Sequence, residues 1–123
     1  MIKATYVTFE QAKLLKEKGF DNISCTGYYF GTDDCVNVIS TKQHKTNNKC
    51  LAPEQWQVVE WLRINHGIWV EVVIYENKNF ESEIYITKNP DVKHIFNKPA
   101  ELYNSPQEAY SAAFDYVLKN LLK

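Results

Sequence analysis

The chain contains only one arginine, Arg63, among its 14 basic residues. Arginine is the residue that proteins favour for bidentate contacts with phosphate and guanine. The 15 acidic residues balance the basic ones to a net charge of −1, so the protein as a whole does not carry the charge that neutralises a nucleic-acid backbone. Nucleic-acid binding would therefore have to depend on a local basic segment.

Long apolar runs and an even set of cysteines are missing too. The longest mostly apolar run, Ile68 to Tyr75, is far shorter than the roughly 20 residues that cross a bilayer, so we expect no membrane span. The three cysteines, Cys25, Cys35 and Cys50, are an odd number, and we expect no signal peptide ahead of them. This pattern favours a reducing compartment, and we expect a cytoplasmic protein.

The remaining composition is that of an ordinary globular protein. Of 123 residues, 45% are hydrophobic, 14% aromatic and 24% charged, which is too apolar for a disordered chain. A chain of this length can bury a sufficient core without metals or disulfides. We expect a single domain over residues 1–123 with no cofactor.

The first elements are a short strand and a helix. Ile2 to Val7 predicts a lead-in strand, after which Thr8 and Gln11 have the spacing of a capping box. The helix is expected over Phe9 to Lys18, because Gly19 suits the left-handed position that follows a helix.

A hairpin is expected next. Ile23 to Phe30 and Cys35 to Ser40 are rich in β-branched and aromatic residues and flank a four-residue loop, so that Phe30 would face Cys35. The polar and basic segment Thr41 to Lys49 predicts a long exposed loop.

A helix started by Pro53 is expected over Pro53 to Asn65. Its apolar spacing predicts a broad buried face that excludes Gln57, Glu60 and Arg63, which should face water. The residues of that face are Trp56, Val59 and Leu62, with Val58 and Trp61 beside them.

The pattern becomes alternating after Gly67 and predicts two strands joined across residues 76–79. One face of this hairpin is the predicted core, comprising Ile68, Val70, Val72, Ile74, Phe80, Ile84 and Ile86. Lys88 to Glu101 is expected to be an irregular connection, and Ser105, Pro106 and Glu108 predict the start of a final helix. The predicted fold is α+β, an antiparallel sheet of four to five strands with about three helices packed mainly on one face.

The other face of the hairpin mixes aromatic and acidic residues. Aromatic anchors among charged residues are typical of protein interfaces, and an acidic surface can compete for the basic channel of a nucleic-acid-processing enzyme. Burial of these aromatics under a helix or the first hairpin is the alternative. The predicted protein-binding residues are Trp69, Glu71, Tyr75, Glu81, Glu83 and Tyr85.

A second hypothesis places nucleic-acid contacts on the basic loop and the strand before it. Lysines would neutralise phosphates and tyrosines would stack on bases. The residues of this alternative site are Tyr28, Tyr29, Lys42, His44, Lys45 and Lys49.

Catalytic and metal-binding patterns are weak. Cys25, Cys35, His44 and Cys50 are suitable zinc ligands but lack the close pairs that usually anchor structural zinc. No spacing pairs a cysteine with a histidine base, and the three glutamates of the mixed face are explained by solvent exposure. We expect neither a metal site nor an enzyme.

Several short motifs resemble small uncharacterised proteins of bacterial phages and prophages. The matching segments cover most of the chain: residues 12–20, Ala52-Pro53, Trp61-Leu62-Arg63, Tyr103-Asn104-Ser105, Glu108-Ala109 and residues 116–121. The resemblance brings no catalytic residues. It implies a mobile-element origin, and therefore host takeover, replication accessory or counter-defence roles, including inhibition of CRISPR nucleases. We expect a non-enzymatic binding protein that acts on a host protein in the bacterial cytoplasm.

Overall fold

A computed structural model describes residues 5–20, 27–30, 36–38, 49–75, 79–88, 91–95 and 102–122. The chain divides into two compact units, Met1–Gln55 and Trp56–Leu122. The fold is α+β, and the described residues contain three α-helices, in agreement with the prediction of about three. The predicted single sheet of four to five strands is wrong, because the described strands form two separate antiparallel sheets of three strands each.

Helix α1 of the first unit spans Phe9–Glu17 and is capped at both ends as predicted. The Thr8 hydroxyl accepts a hydrogen bond from the Gln11 N–H at 3.1 Å, and the Gln11 side chain accepts one from the Thr8 N–H at 3.0 Å. Beyond the helix, Gly19 has a φ of +94°, and the Phe20 N–H donates to the Leu15 carbonyl at 2.9 Å. These bonds satisfy backbone groups that a helix end leaves without partners.

The first sheet contains β1 (Gly27–Phe30), β2 (Val36–Val38) and β3 (Lys49–Ala52) in the order β2-β1-β3. The register of β1 and β2, with Tyr28 opposite Asn37, is the one predicted for the hairpin. Strand β3 was not predicted. Lys49 was expected in the basic loop, but it begins β3 and pairs with Phe30.

The helix predicted to start at Pro53 begins later, and α2 spans Gln55–His66. The segment after β3 is instead held by residues 5–7, where Tyr6 forms an isolated bridge with Glu54 and no strand is present; the rest of the predicted lead-in strand, residues 2–4, lies outside the described residues. The Pro53 carbonyl accepts from the Val7 N–H at 3.0 Å, and the Gln55 N–H donates to the Thr5 carbonyl at 2.8 Å. Since proline lacks an N–H but keeps its carbonyl, Pro53 can accept in this pairing as readily as it could start a helix.

The buried side of α2 also differs from the prediction. Val58 and Leu62 are fully buried, as predicted, but Trp56 is 60% exposed and Gln57 is buried. Trp56 lies four residues before Glu60, so both occupy one stripe of the helix. The prediction for Trp56 was wrong because helical spacing does not show which edge of a broad apolar stripe faces the core and which faces water.

The second unit contains β4 (Ile68–Tyr75), β5 (Asn79–Lys88) and β6 (Asp91–Ile95) in the order β4-β5-β6. Ile68, Val70 and Ile84 are buried on one face, as predicted. Ile74, predicted in the core, is 69% exposed, because it lies near the end of a strand that forms an edge of the described sheet. Strand β6 lies in the segment that was expected to be irregular.

Helix α3 (Pro106–Tyr116) packs against β4 and β5 and continues as a π-helical turn, Val117–Leu121. The Ser105 hydroxyl accepts from the Glu108 N–H at 3.2 Å, as predicted for the helix start. Just before it, Tyr103 exchanges two backbone hydrogen bonds with Phe80 on β5, each 2.8 Å long. This pairing fixes the helix start against the sheet. Among the described residues, no helix is both long and apolar enough to cross a membrane.

Candidate protein-binding face

The face of the β4-β5-β6 sheet opposite the buried one carries most of the predicted protein-binding residues. We call it the outer face. Strand alternation and register place three cross-strand pairs on it, Trp69–Tyr85, Glu71–Glu83 and Val73–Glu81. His94 of β6 lies opposite Tyr85 and joins the same face. Tyr75 falls on it by register, but its side chain lies outside the described part of the structure.

Tyr85, His94 and Glu83 form one connected cluster. The Tyr85 and His94 rings are stacked, with centroids 4.4 Å apart and an interplanar angle of 11°. Glu83 joins both rings, because one carboxylate oxygen accepts from the Tyr85 hydroxyl at 3.2 Å and the other lies 3.8 Å from His94 Nε2. Partial burial raises the pKa of Tyr85, and the hydrogen bond to Glu83 and the charges of Glu83 and Glu71 raise it further. The phenol therefore stays protonated and donates to Glu83.

Arg63 extends the cluster toward α2. Its guanidinium donates to Glu60, with Nη2 and Oε2 2.6 Å apart, and it lies over the Trp69 ring at 5.4 Å from the centroid. The hydrogen bond lowers the pKa of Glu60 and raises that of Arg63. Trp69 thus has a cation over its ring while 45% of its surface remains exposed.

The predicted acidic residues differ in accessibility. Glu71 is exposed, the Glu83 side chain is 15% exposed and Glu81 is 8% exposed. Glu71 is therefore the carboxylate on this face that a partner can reach most easily. The alternation of the sequence placed all three on one face but could not distinguish their burial.

Sequence reasoning missed Arg63 and His94 as members of this face. Arg63 was predicted to face water on the helix, with no contact to the sheet. His94 could not be assigned to a face because the strand that contains it, β6, was not predicted. The sequence did contain a signal for a different feature, an exposed stripe along α2. Its members are spaced four residues apart and are all exposed: Trp56, Glu60 and Ile64.

The side chains of the nucleic-acid hypothesis all lie outside the described part of the structure, so that hypothesis stays a prediction. Tyr28 and Tyr29 are consecutive residues of β1, and their side chains lie outside the described part of the structure. Lys42, His44 and Lys45 lie outside the described residues. Lys49 is part of β3.

Neither the search for metal-binding groups nor comparison with known proteins identifies a function. Within the described ranges, no group of three or more His, Cys, Asp or Glu side chains could hold a metal ion. The zinc candidates Cys25, Cys35 and His44 lie outside those ranges. Comparison with protein-family models, curated proteins and solved structures gives no match. Function must therefore be inferred from the outer face itself.

Proposed function

We propose that this protein is a non-enzymatic binding protein that acts on another protein through its outer face. The observation that carries the proposal is Trp69, a large aromatic side chain that is 45% exposed yet held beneath Arg63. Tyr85, opposite Trp69 on the next strand, is held by His94 and Glu83. Exposed aromatics that are already ordered lose little rotamer freedom on binding, and such residues dominate the energy of many interfaces.

The resemblance to phage and prophage proteins supports a partner in the bacterial host. Under this proposal the protein works in the host cytoplasm, where it covers a functional surface of a host protein. A defence complex that processes nucleic acid is the partner class we favour, which would make the protein a counter-defence inhibitor of the anti-CRISPR type.

An affinity pull-down from bacterial lysate, with and without nuclease, tests this function. A partner that survives nuclease is expected, and its affinity for the purified protein can then be measured by calorimetry. Trp69→Ala and Tyr85→Ala should each weaken binding about tenfold or more, as expected for residues at the centre of an interface. Trp56→Ala is the matched control, because it removes an exposed tryptophan that lies outside the outer face.

Urea unfolding of each variant separates binding from folding. If Trp69→Ala and Tyr85→Ala bind like the wild type, or weaken binding no more than Trp56→Ala, the outer face is not the interface. If every captured partner disappears after nuclease treatment, the nucleic-acid hypothesis replaces this one.

A further inference from the structure

The centre of the outer face is a pair of like charges. Glu71 and Glu83 are directly opposite each other on adjacent antiparallel strands, an arrangement that destabilises a sheet. The Glu83 carboxylate accepts a hydrogen bond from the Tyr85 hydroxyl and lies 3.8 Å from His94 Nε2. Glu71 makes no hydrogen bond or ion pair within the part of the chain that the structure describes, and it is exposed.

We propose that the outer face binds a lysine- or arginine-rich segment of a protein partner, with one cationic side chain lying between Glu71 and Glu83 and packing beside Trp69. This inference depends on the proposed function and names the chemistry of the partner surface. A cation in that position relieves the repulsion of the opposed carboxylates, so the feature that weakens the free sheet favours the complex.

The charges on this face are complementary to such a segment. Glu71, Glu81 and Glu83 contribute three carboxylates, of which Glu71 is the exposed one. The groups on this face that can carry positive charge, among the described residues, are His94 and Arg63, and Arg63 is already paired with Glu60. An acidic, ordered surface selects a basic partner through electrostatic complementarity and speeds its association.

The chain itself shows that Trp69 accepts a guanidinium. Arg63 lies over the indole ring at 5.4 Å while it is also paired with Glu60. An arginine of the partner placed beside Trp69 and paired with Glu71 would repeat this combination of aromatic ring and carboxylate on the exposed side. Trp69 and Glu71 are two residues apart on β4, or about 7 Å, which matches the side-chain spacing along one face of an extended segment.

Peptide titration tests the inference directly. The probe is a synthetic 12-residue peptide of alternating arginine and serine, titrated by calorimetry into the full chain at low and moderate salt. Its analogue with glutamate in place of arginine is the peptide control. We expect the arginine peptide to bind, the glutamate peptide not to bind, and Glu71→Gln to weaken binding about fivefold or more. Glu10→Gln removes the same charge from an exposed site on α1 and should change binding less than twofold.

Three results would overturn the inference. Equal binding of both peptides would remove the charge selectivity, and equal effects of Glu71→Gln and Glu10→Gln would remove the site. Spermine or Mg²⁺ displacing the peptide at stoichiometric concentration would show that the carboxylates bind small cations. A different result would refute only this inference and leave the proposed function standing. In that case the affinity for a host partner would fall in Trp69→Ala but would be unchanged by Glu71→Gln and by excess arginine peptide.

Discussion

Ser82 is a buried hydroxyl without a hydrogen-bond partner among the described residues. It lies on the buried face of β5, opposite Val72, and is fully inaccessible. A buried polar group left unsatisfied costs about 1–3 kcal/mol. Replacing Ser82 with alanine removes that cost, and the smaller loss of packing and strand propensity offsets part of the gain. We therefore expect Ser82→Ala to stabilise the protein by about 0.5–2 kcal/mol.

Urea unfolding followed by circular dichroism measures this change, and Ser105→Ala is the matched control. The Ser105 hydroxyl accepts a hydrogen bond from the Glu108 N–H at the start of α3, so the same substitution there should destabilise by about 1 kcal/mol. Opposite signs at the two serines are the expected result. A loss of stability in Ser82→Ala comparable to that of Ser105→Ala would show that the Ser82 hydroxyl has a partner, and the reasoning would be refuted.

Two further predictions concern the α2–β4 junction and the outer face. Gly67 has a φ of +64°, and a Cβ there would lie 3.0 Å from both the carbonyl oxygen and the hydroxyl of Thr87, so Gly67→Ala should lower the free energy of unfolding by about 1–2 kcal/mol. A stability equal to wild type in urea would contradict this. Because the pKa of Tyr85 is raised in the fold, its contribution is full below the ordinary tyrosine pKa and is lost as pH rises through the folded value. Wild-type stability should then fall more steeply than that of Tyr85→Phe between about pH 9 and 12, and parallel curves would exclude this linkage.

The local elements of the fold could be predicted because their signals lie within a few residues. Thr8 and Gln11 identify the start of α1 by themselves, and Ser105 with Glu108 does the same for α3. The alternation after Gly67 placed Ile68, Val70 and Ile84 on one buried face.

The missing strands depend on partners that are distant in the sequence. Strand β6 contains Asp91, Lys93 and His94, residue types that are uncommon in isolated strand patterns, and it forms because it pairs with the second half of β5. Strand β3 similarly pairs with β1 across a long connection. The candidate face was incomplete for the same reason, since the stacking of Tyr85 on His94 requires β6.

Local rules are obeyed at the helix ends and violated on the outer face. Trp69 is a large apolar side chain that is 45% exposed. Glu71 lies opposite Glu83, where a residue of opposite charge would have stabilised the pair of strands. Departures of this kind are expected to concentrate where function, and not folding, selects the residue. Ser82 also departs from the local rules, because its hydroxyl, unpaired among the described residues, lies on the buried face. The stability of the Ser82→Ala variant tests whether the sheet contains a destabilising residue that has no role in binding. If Ser82→Ala is more stable than the wild type and binds a partner equally well, then the residues that are destabilising because of function lie on the outer face and do not include Ser82.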